Sequence, residues 1–438
     1  MAPSLLAGFA ESEFTPEPGL LLFGQMHERV ATHARDPLSA CAAAFAEEGE
    51  TPLAIVAADV CVLDEAFVAS ARAAFERRSG VSGDRLLLHA THTHTGPSTL
   101  TLMAGQIDAA CMARLEAAVV EAATSAVQRL APATVHAGMG RLDGLVFNRR
   151  GAFADGTSAM YGHAGQPGFR GAEGPADESL PVLWARRLDG TIAGVVLGFG
   201  AHPCAVEGAS YYSADVPGEV RRRLAGLLGG AGVVFLTGAA GDASLCRIDP
   251  WPDTQPWHGE EGLARAGLRV AGEAARAMSA PAPAGAHVVR LARGGVRVPP
   301  RPWPAPDAPN FPRPLAGPDW PDARPYYERA ARDWPEMEAR GPIDVPISVA
   351  RIGDTVICAN PCELFVEFGL AIREASPAPV TLLAELTDGY AGYAPTPLAM
   401  GRGGYETWPA PTSKLAEEAG ERIVAETRRL LLSAFDGG

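Results

Sequence analysis

Excess basic charge, paired cysteines of the Cys-x-x-Cys kind, an apolar run of membrane-spanning length and a basic leader are all missing from this 438-residue sequence. Its 37 Lys and Arg stand against 51 Asp and Glu, a formal net charge of -14. That balance argues against nucleic acid or an anionic membrane surface as the main partner, because both require a basic field. The cysteines are seven, Cys41, Cys61, Cys111, Cys204, Cys246, Cys358 and Cys362. An odd number without close pairs indicates neither a disulfide framework nor a structural zinc ribbon, and fits a reducing compartment. The start of the chain has no basic region and its apolar run is broken at Glu11, so no signal peptide is indicated. With no stretch long enough to span a bilayer, a cytoplasmic location is expected.

What is present is ordinary for a globular protein: 47% hydrophobic and 20% charged residues, enough for a large core without covalent staples. The organising stretch is Leu86-Leu87-Leu88-His89-Ala90-Thr91-His92-Thr93-His94-Thr95-Gly96-Pro97. An apolar run that reads as a buried strand gives way to His-Thr-His and then to a Gly-Pro turn. Two residues apart on a strand, His92 and His94 share a face. Neutral imidazole is the commonest metal ligand among side chains, so metal binding is the first reading. The plainer alternative places one histidine in the core and the other at the surface.

Apolar runs predict strands over 53–58, 134–138, 192–200, 232–236, 343–351, 354–359 and 380–384, and one near His287. Helical spacing predicts helices over 63–77, 107–130, 216–228, 259–279, 364–375 and 413–435. Residues 12–35, with His27 and His33, read as loops. So does the Gly-rich segment 147–174 containing Asn148-Arg149-Arg150, where a long loop is more often functional or mobile than structural. The turn Thr237-Gly238-Ala239-Ala240-Gly241-Asp242-Ala243 lacks the Walker lysine and the Rossmann spacing, and predicts close backbone approach to something in the cleft. Residues 298–325 are proline-dense and read as an extended flap that covers the cleft, serves contact between copies of the chain, or is an inert surface excursion.

Four apolar runs thus end in a potential ligand: His92, His202, Glu363 and Tyr393. Two imidazoles, a carboxylate and a weaker oxygen ligand would leave zinc room for an activated water.

These residues also carry a resemblance. Ala90-Thr91-His92-Thr93-His94-Thr95-Gly96-Pro97, Gly200-Ala201-His202-Pro203, Thr237-Gly238-Ala239-Ala240-Gly241-Asp242, Asn360-Pro361-Cys362-Glu363-Leu364-Phe365 and Tyr390-Ala391-Gly392-Tyr393 resemble, in this order, motifs of the neutral ceramidase catalytic domain. Members of that family are zinc-dependent amidases that cleave the N-acyl bond of ceramide. The resemblance runs from about residue 7 to the last helix, and implies an α+β (mixed α/β) fold of layered mixed sheets flanked by helices. It implies a single catalytic domain over 1–438 without the family's additional C-terminal sandwich domain. It further implies zinc held by His92, His202, Glu363 and Tyr393, with His94 beside the metal as candidate general acid. Arg149 and Tyr405, the latter twelve residues after Tyr393, would polarise the scissile carbonyl and hold the oxyanion. The physical logic agrees, since zinc lowers the pKa of its water and the resulting hydroxide attacks the carbonyl while cationic and phenolic donors stabilise the developing charge.

The sequence departs from the family pattern at Thr95, Ser98, Thr99, Arg150 and Cys362. Cys362 adjoins the proposed ligand Glu363 and is weighed both as a competing ligand and as a small buried residue. The expected function is amide hydrolysis on a small-molecule amide or lipid-like substrate, with ester or lactone hydrolysis and non-catalytic metal or ligand binding as rivals. Homo-oligomerisation is compatible with the sequence.

Overall fold

Period-two alternation along fully buried strands assigns each side of the central sheet to a different layer. The computed structural model describes residues 5–280, 282–317 and 321–436. Eight strands lie side by side in the order Gly232–Thr237, Ile192–Phe199, Ser179–Arg187, Ala131–Arg141, Leu5–Glu13, Ser39–Glu47, Leu53–Ala58 and Leu86–Ala90. A second sheet orders Val289–Val298, Ile343–Ile352, Thr355–Ala359 and Val380–Ala384. In Ser39–Glu47, Cys41, Ala43 and Phe45 face the core between the sheets, whereas Ala40, Ala42 and Ala44 face the helical layer of Glu65–Ser79 and Ala109–Gln128. The partition repeats at Leu53, Ile55 and Ala57 against Ala54, Val56 and Ala58. Helices Asp215–Leu227 and Gly259–Ser279 cover the other end of the same outer face, and Val366–Glu374 and Ala419–Phe435 cover the second sheet. The molecule is therefore α+β, with two mixed sheets packed face to face between helices.

Three parallel pairs position the loops that carry the candidate ligands. Leu53–Ala58 runs beside Leu86–Ala90, Ile192–Phe199 beside Gly232–Thr237, and Thr355–Ala359 beside Val380–Ala384. In sheets of this kind, chemistry collects beyond the carboxyl ends of parallel strands, where loops are held by a rigid scaffold. Backbone bonds join these ends: Ala90 N donates to Leu386 O at 3.1 Å, Glu385 N to Thr237 O at 3.0 Å and Asn360 N to Ala384 O at 3.1 Å.

Several expectations change. Leu5–Glu13, Ser39–Glu47 and Ser179–Arg187 are strands of the large sheet that the sequence pattern did not reveal. Ser39–Glu47, alanine-rich and buried on both faces, shows neither β-branched enrichment nor alternation. The segment 147–174 is not a structureless loop: Arg150–Phe153 pairs with Ser158–Met160 and with Phe169–Ala172 in a small antiparallel sheet. The closing helix begins at Ala419 rather than at 413. An unforeseen helix spans Arg324–Ala339, hidden by Pro325 in its first turn and Pro335 inside it.

The proline-dense segment is neither free nor extended throughout. Arg313–Ala316 is helical, and Arg301 is buried, donating from its backbone to Lys414 O and from its side chain to Thr407 O. With Trp303 against Trp334 and Trp334 Nε1 donating to Arg301 O at 3.0 Å, the segment and the following helix buttress the stretch that carries Tyr405 and Trp408. Residues 318–320 of the expected flap, and 1–4, 281 and 437–438 of the expected single domain, lie outside the described residues. Among the described residues, no helix is long and apolar enough to cross a membrane.

Candidate metal centre

The strand Leu86–Ala90 stops two residues before His92, whose backbone enters the left-handed region at φ 69°. A non-glycine residue there stores about 1–3 kcal/mol and needs its surroundings to hold it. His92 N donates to Val60 O at 3.0 Å, and its ring Nδ1 lies 2.9 Å from Cys61 O. The two histidines of His-Thr-His therefore meet across a turn rather than on one strand face. Their Nε2 atoms are 3.3 Å apart.

His202 follows Ile192–Phe199 by the same logic. Its backbone N donates to Ala243 O at 3.0 Å, and its Nδ1 lies 2.8 Å from Ala240 O. A carbonyl can only accept, so both Nδ1 atoms carry the proton and both Nε2 atoms keep a lone pair. Glu363 sits in Cys362–Leu364, which pairs in parallel with Gly392–Ala394 so that Glu363 and Tyr393 are register partners. Tyr390 OH donates to Glu363 Oε1 at 2.8 Å.

Glu363 Oε2 lies 3.3 Å from His202 Nε2 and 3.7 Å from His92 Nε2. It is buried and has no hydrogen-bond partner among the described residues. Bonds of about 2.0–2.1 Å to a tetrahedral ion place two ligand atoms about 3.3 Å apart. Burial lowers the pKa of His92, and takes those of His94 and His202 well below the ordinary value. The imidazoles are thus neutral, the form that binds metal. An orphaned carboxylate oxygen facing two neutral imidazole lone pairs fits a divalent cation.

The small-residue turn proves to be the hub of this arrangement. Ala240 N and Leu364 N donate to Glu385 Oε2 at 3.1 and 2.9 Å, Val366 N donates to Asp242 Oδ1 at 2.8 Å, and Arg149 N donates to Asp242 O at 2.8 Å. The close approach expected of the turn is to the backbone of Glu363 itself, for a Cβ on Gly241 would lie 2.5 Å from Glu363 O. Gly241→Ala must displace the strand carrying Glu363 while removing none of the candidate ligand side chains. We expect it to weaken metal affinity by about 10–100-fold, the usual cost of disturbing ligand orientation, as read by competition with a chromogenic chelator; unchanged affinity would discount the turn's role.

Arg149 and Arg150 leave the short pairing of Phe147–Asn148 with Ala243–Ser244 in opposite roles. Arg149 donates from Nε to Glu406 Oε1 at 2.9 Å and from NH2 to the phenol oxygen of Tyr393 at 3.0 Å. Arg150 donates to Glu406 Oε2 at 2.6 Å and to Gly403 O at 2.6 Å. Burial opposes charge on Arg149, but Tyr393 and Glu406 outweigh it and raise its pKa well above the ordinary value. Burial, reinforced by Glu363, pushes the phenols of Tyr393 and Tyr405 well up. The two rings meet edge to face with centroids 5.9 Å apart.

His94, Arg149, His202, Tyr393 and Tyr405 line one cavity of about 90 Å³, together with Met26, Met103, Met160, Tyr161 and Glu207. His92 and Glu363 reach the same point from beneath. The structure thus brings all seven residues singled out in the sequence to one place. Cys362 is fully buried in an apolar cluster and, among the described residues, belongs to none of the compact groups of candidate ligands. Sequence reasoning passed over Tyr390, Glu385, Glu406 and Glu207. Two adjacent arginines in a Gly-rich segment were a usable signal for Glu406, since buried guanidinium groups require acids; the others carried none.

The fold is that of solved neutral ceramidases. The neutral ceramidase from Pseudomonas aeruginosa superposes with a TM-score of 0.77 at 18% identity, over 100% of this chain and 75% of that one. A structure described as ceramidase complexed with C2 gives 0.77 at 17% identity, over 99% of this chain and 76% of the other. No protein-family model and no curated protein matches the sequence.

Proposed function

We propose, from the premise of a neutral-ceramidase fold, that the chain is a zinc-dependent amidohydrolase that cleaves a C–N amide bond in an N-acyl amide, small or lipid-like. The observation that carries this reading is the convergence of His92 Nε2, His202 Nε2 and the unpartnered Glu363 Oε2. Those three residues, with Tyr393 adjoining, would hold the ion. A zinc ion there supplies an activated water at neutral pH and polarises the substrate carbonyl.

The chain's own groups do the rest. The Arg149 guanidinium, kept charged by Glu406, presents a fixed positive group to the carbonyl oxygen, and the Tyr405 phenol adds a neutral donor. Such donors stabilise charge that appears only in the tetrahedral state. His94, with its Nε2 3.3 Å from that of His92, would pass a proton to the leaving nitrogen. A purely structural metal site needs neither the arginine nor the phenol, which weighs against non-catalytic binding.

The test is turnover of a short-chain fluorogenic N-acyl amide beside its ester analogue by metal-analysed protein. Tyr405→Phe is expected to keep its metal and lose about 10²–10³-fold in kcat, the usual cost of one oxyanion donor. Absence of turnover on the amide with turnover on the ester would replace the amidase reading by the esterase one.

A further inference from the structure

We propose that the chain holds a second metal ion beside the first, ligated by Nδ1 of His94, the thiolate of Cys204 and the carboxylate of Glu207. The proposal rests on the reading of His92, His202 and Glu363 as the first centre, and a cobalt titration of single variants separates the two.

Ligand atoms of His94, Cys204 and Glu207 all lie within 4.8 Å of one another, as do those of His92, His202 and Glu363. His94 Nδ1 is 3.6 Å from Glu207 Oε2. That gap is too long for a hydrogen bond and near the separation of about 3.3 Å between ligands on a tetrahedral ion. The nitrogen is buried without a hydrogen-bond partner among the described residues, on a histidine only 8% exposed. An orphaned buried atom at ligand spacing is what marks Glu363 Oε2 in the first centre, and it recurs here on the opposite side of the His94 ring. A histidine merely oriented by a carboxylate would close the gap and satisfy the nitrogen.

The other atoms are compatible. Among the described residues Cys204 Sγ makes one long contact, to His92 O at 3.6 Å, and metal binding releases its proton. A thiolate with imidazole and carboxylate selects zinc or a similar borderline ion over magnesium or calcium. Glu207 has a side chain 26% exposed and lines the cavity, which gives an ion a way in. The rival grouping of Cys61 with His92 and His94 is weaker, because His92 Nδ1 is committed to Cys61 O and its Nε2 faces Glu363. Metal on Nδ1 leaves the His94 proton on Nε2, the nitrogen facing His92. The second ion thereby sets the tautomer that proton delivery requires.

Cobalt(II) titration of the metal-stripped full chain tests this without reference to activity. Expected are two equivalents bound and a near-ultraviolet thiolate-to-cobalt charge-transfer band. Cys204→Ser should lose the band and one equivalent, Cys61→Ser should lose neither, and Glu207→Gln should weaken development of the band by roughly ten-fold or more. His202→Ala should lose the other equivalent and keep the band. Saturation at one equivalent without a band, a band that survives Cys204→Ser, or one that vanishes in Cys61→Ser overturns the second ion. A band that depends on Cys204 with no equivalent lost in His202→Ala overturns the first-centre reading instead.

Discussion

His202→Ala is expected to lose the metal of the first centre and to lower kcat/KM by about 10³-fold or more, since a Lewis acid supplies several kcal/mol of transition-state stabilisation and each 1.36 kcal/mol is a factor of ten. The substitution removes one of two neutral imidazoles facing Glu363 Oε2 and leaves that oxygen 3.7 Å from His92 Nε2 alone. It also strips Ala240 O of the Nδ1 donor that fixes the ring. The damage is confined to the centre, because the backbone bond from residue 202 to Ala243 O does not depend on the side chain. Metal content by mass spectrometry and turnover on the same preparation check it. A variant that keeps tightly bound metal at this centre and full turnover would show that the three residues meet for some other reason.

Glu406→Ala is expected to destabilise the fold by about 3–5 kcal/mol, the cost of leaving buried charge unpaired. Glu406 is fully buried and accepts from Arg149 and Arg150 at once. Burial resists its ionisation, but Arg150 and Arg149 outweigh that resistance and hold its pKa below the ordinary carboxylate value. Removing it strands two guanidinium groups; Arg150 keeps its ion pair with Glu173, and Arg149 has no second ion pair among the described residues. Arg150→Met alone should also destabilise, and the double variant should lose less than the sum, because the Arg150–Glu406 pair is broken in both single variants and is counted only once in the double. Urea unfolding of the three variants reads the coupling. Strictly additive losses would mean that the triad is not one electrostatic unit. The same substitution should reduce turnover in the protein that remains folded, since Arg149 loses the partner that aims it.

Much of the scaffold was legible because burial writes a period into the sequence. The run 53–58 and the helix 259–279 appear at the expected residues. The apolar runs that end at Ala90 and Phe199 correctly announced that His92 and His202 would follow strand ends. Where the period was absent, the elements were missed. Ser39–Glu47 is buried along almost its whole length and built largely of alanine, so nothing in it alternates. The helix Arg324–Ala339 was obscured by its own prolines.

The candidate site divides along the same physical line. Residue type and position at the ends of apolar runs were enough to nominate His92, His202, Glu363 and Tyr393, and the resemblance to the neutral ceramidase family added His94, Arg149 and Tyr405. They could not show what His89 does in the strand before them, where it faces Thr387 Oγ1 at 3.0 Å and accepts from Thr237 N at 2.9 Å. Nor could they show that Glu406 would meet Arg149 across 257 positions, or that Gly241 would press against Glu363. Hydrophobic periodicity reports whether each residue faces water or core, a property set by its nearest neighbours along the chain. Which buried polar atom finds a partner, and which is left facing its neighbours at the spacing of metal ligands, depends on how distant segments pack, and that was decided only when the sheets and their loops came together.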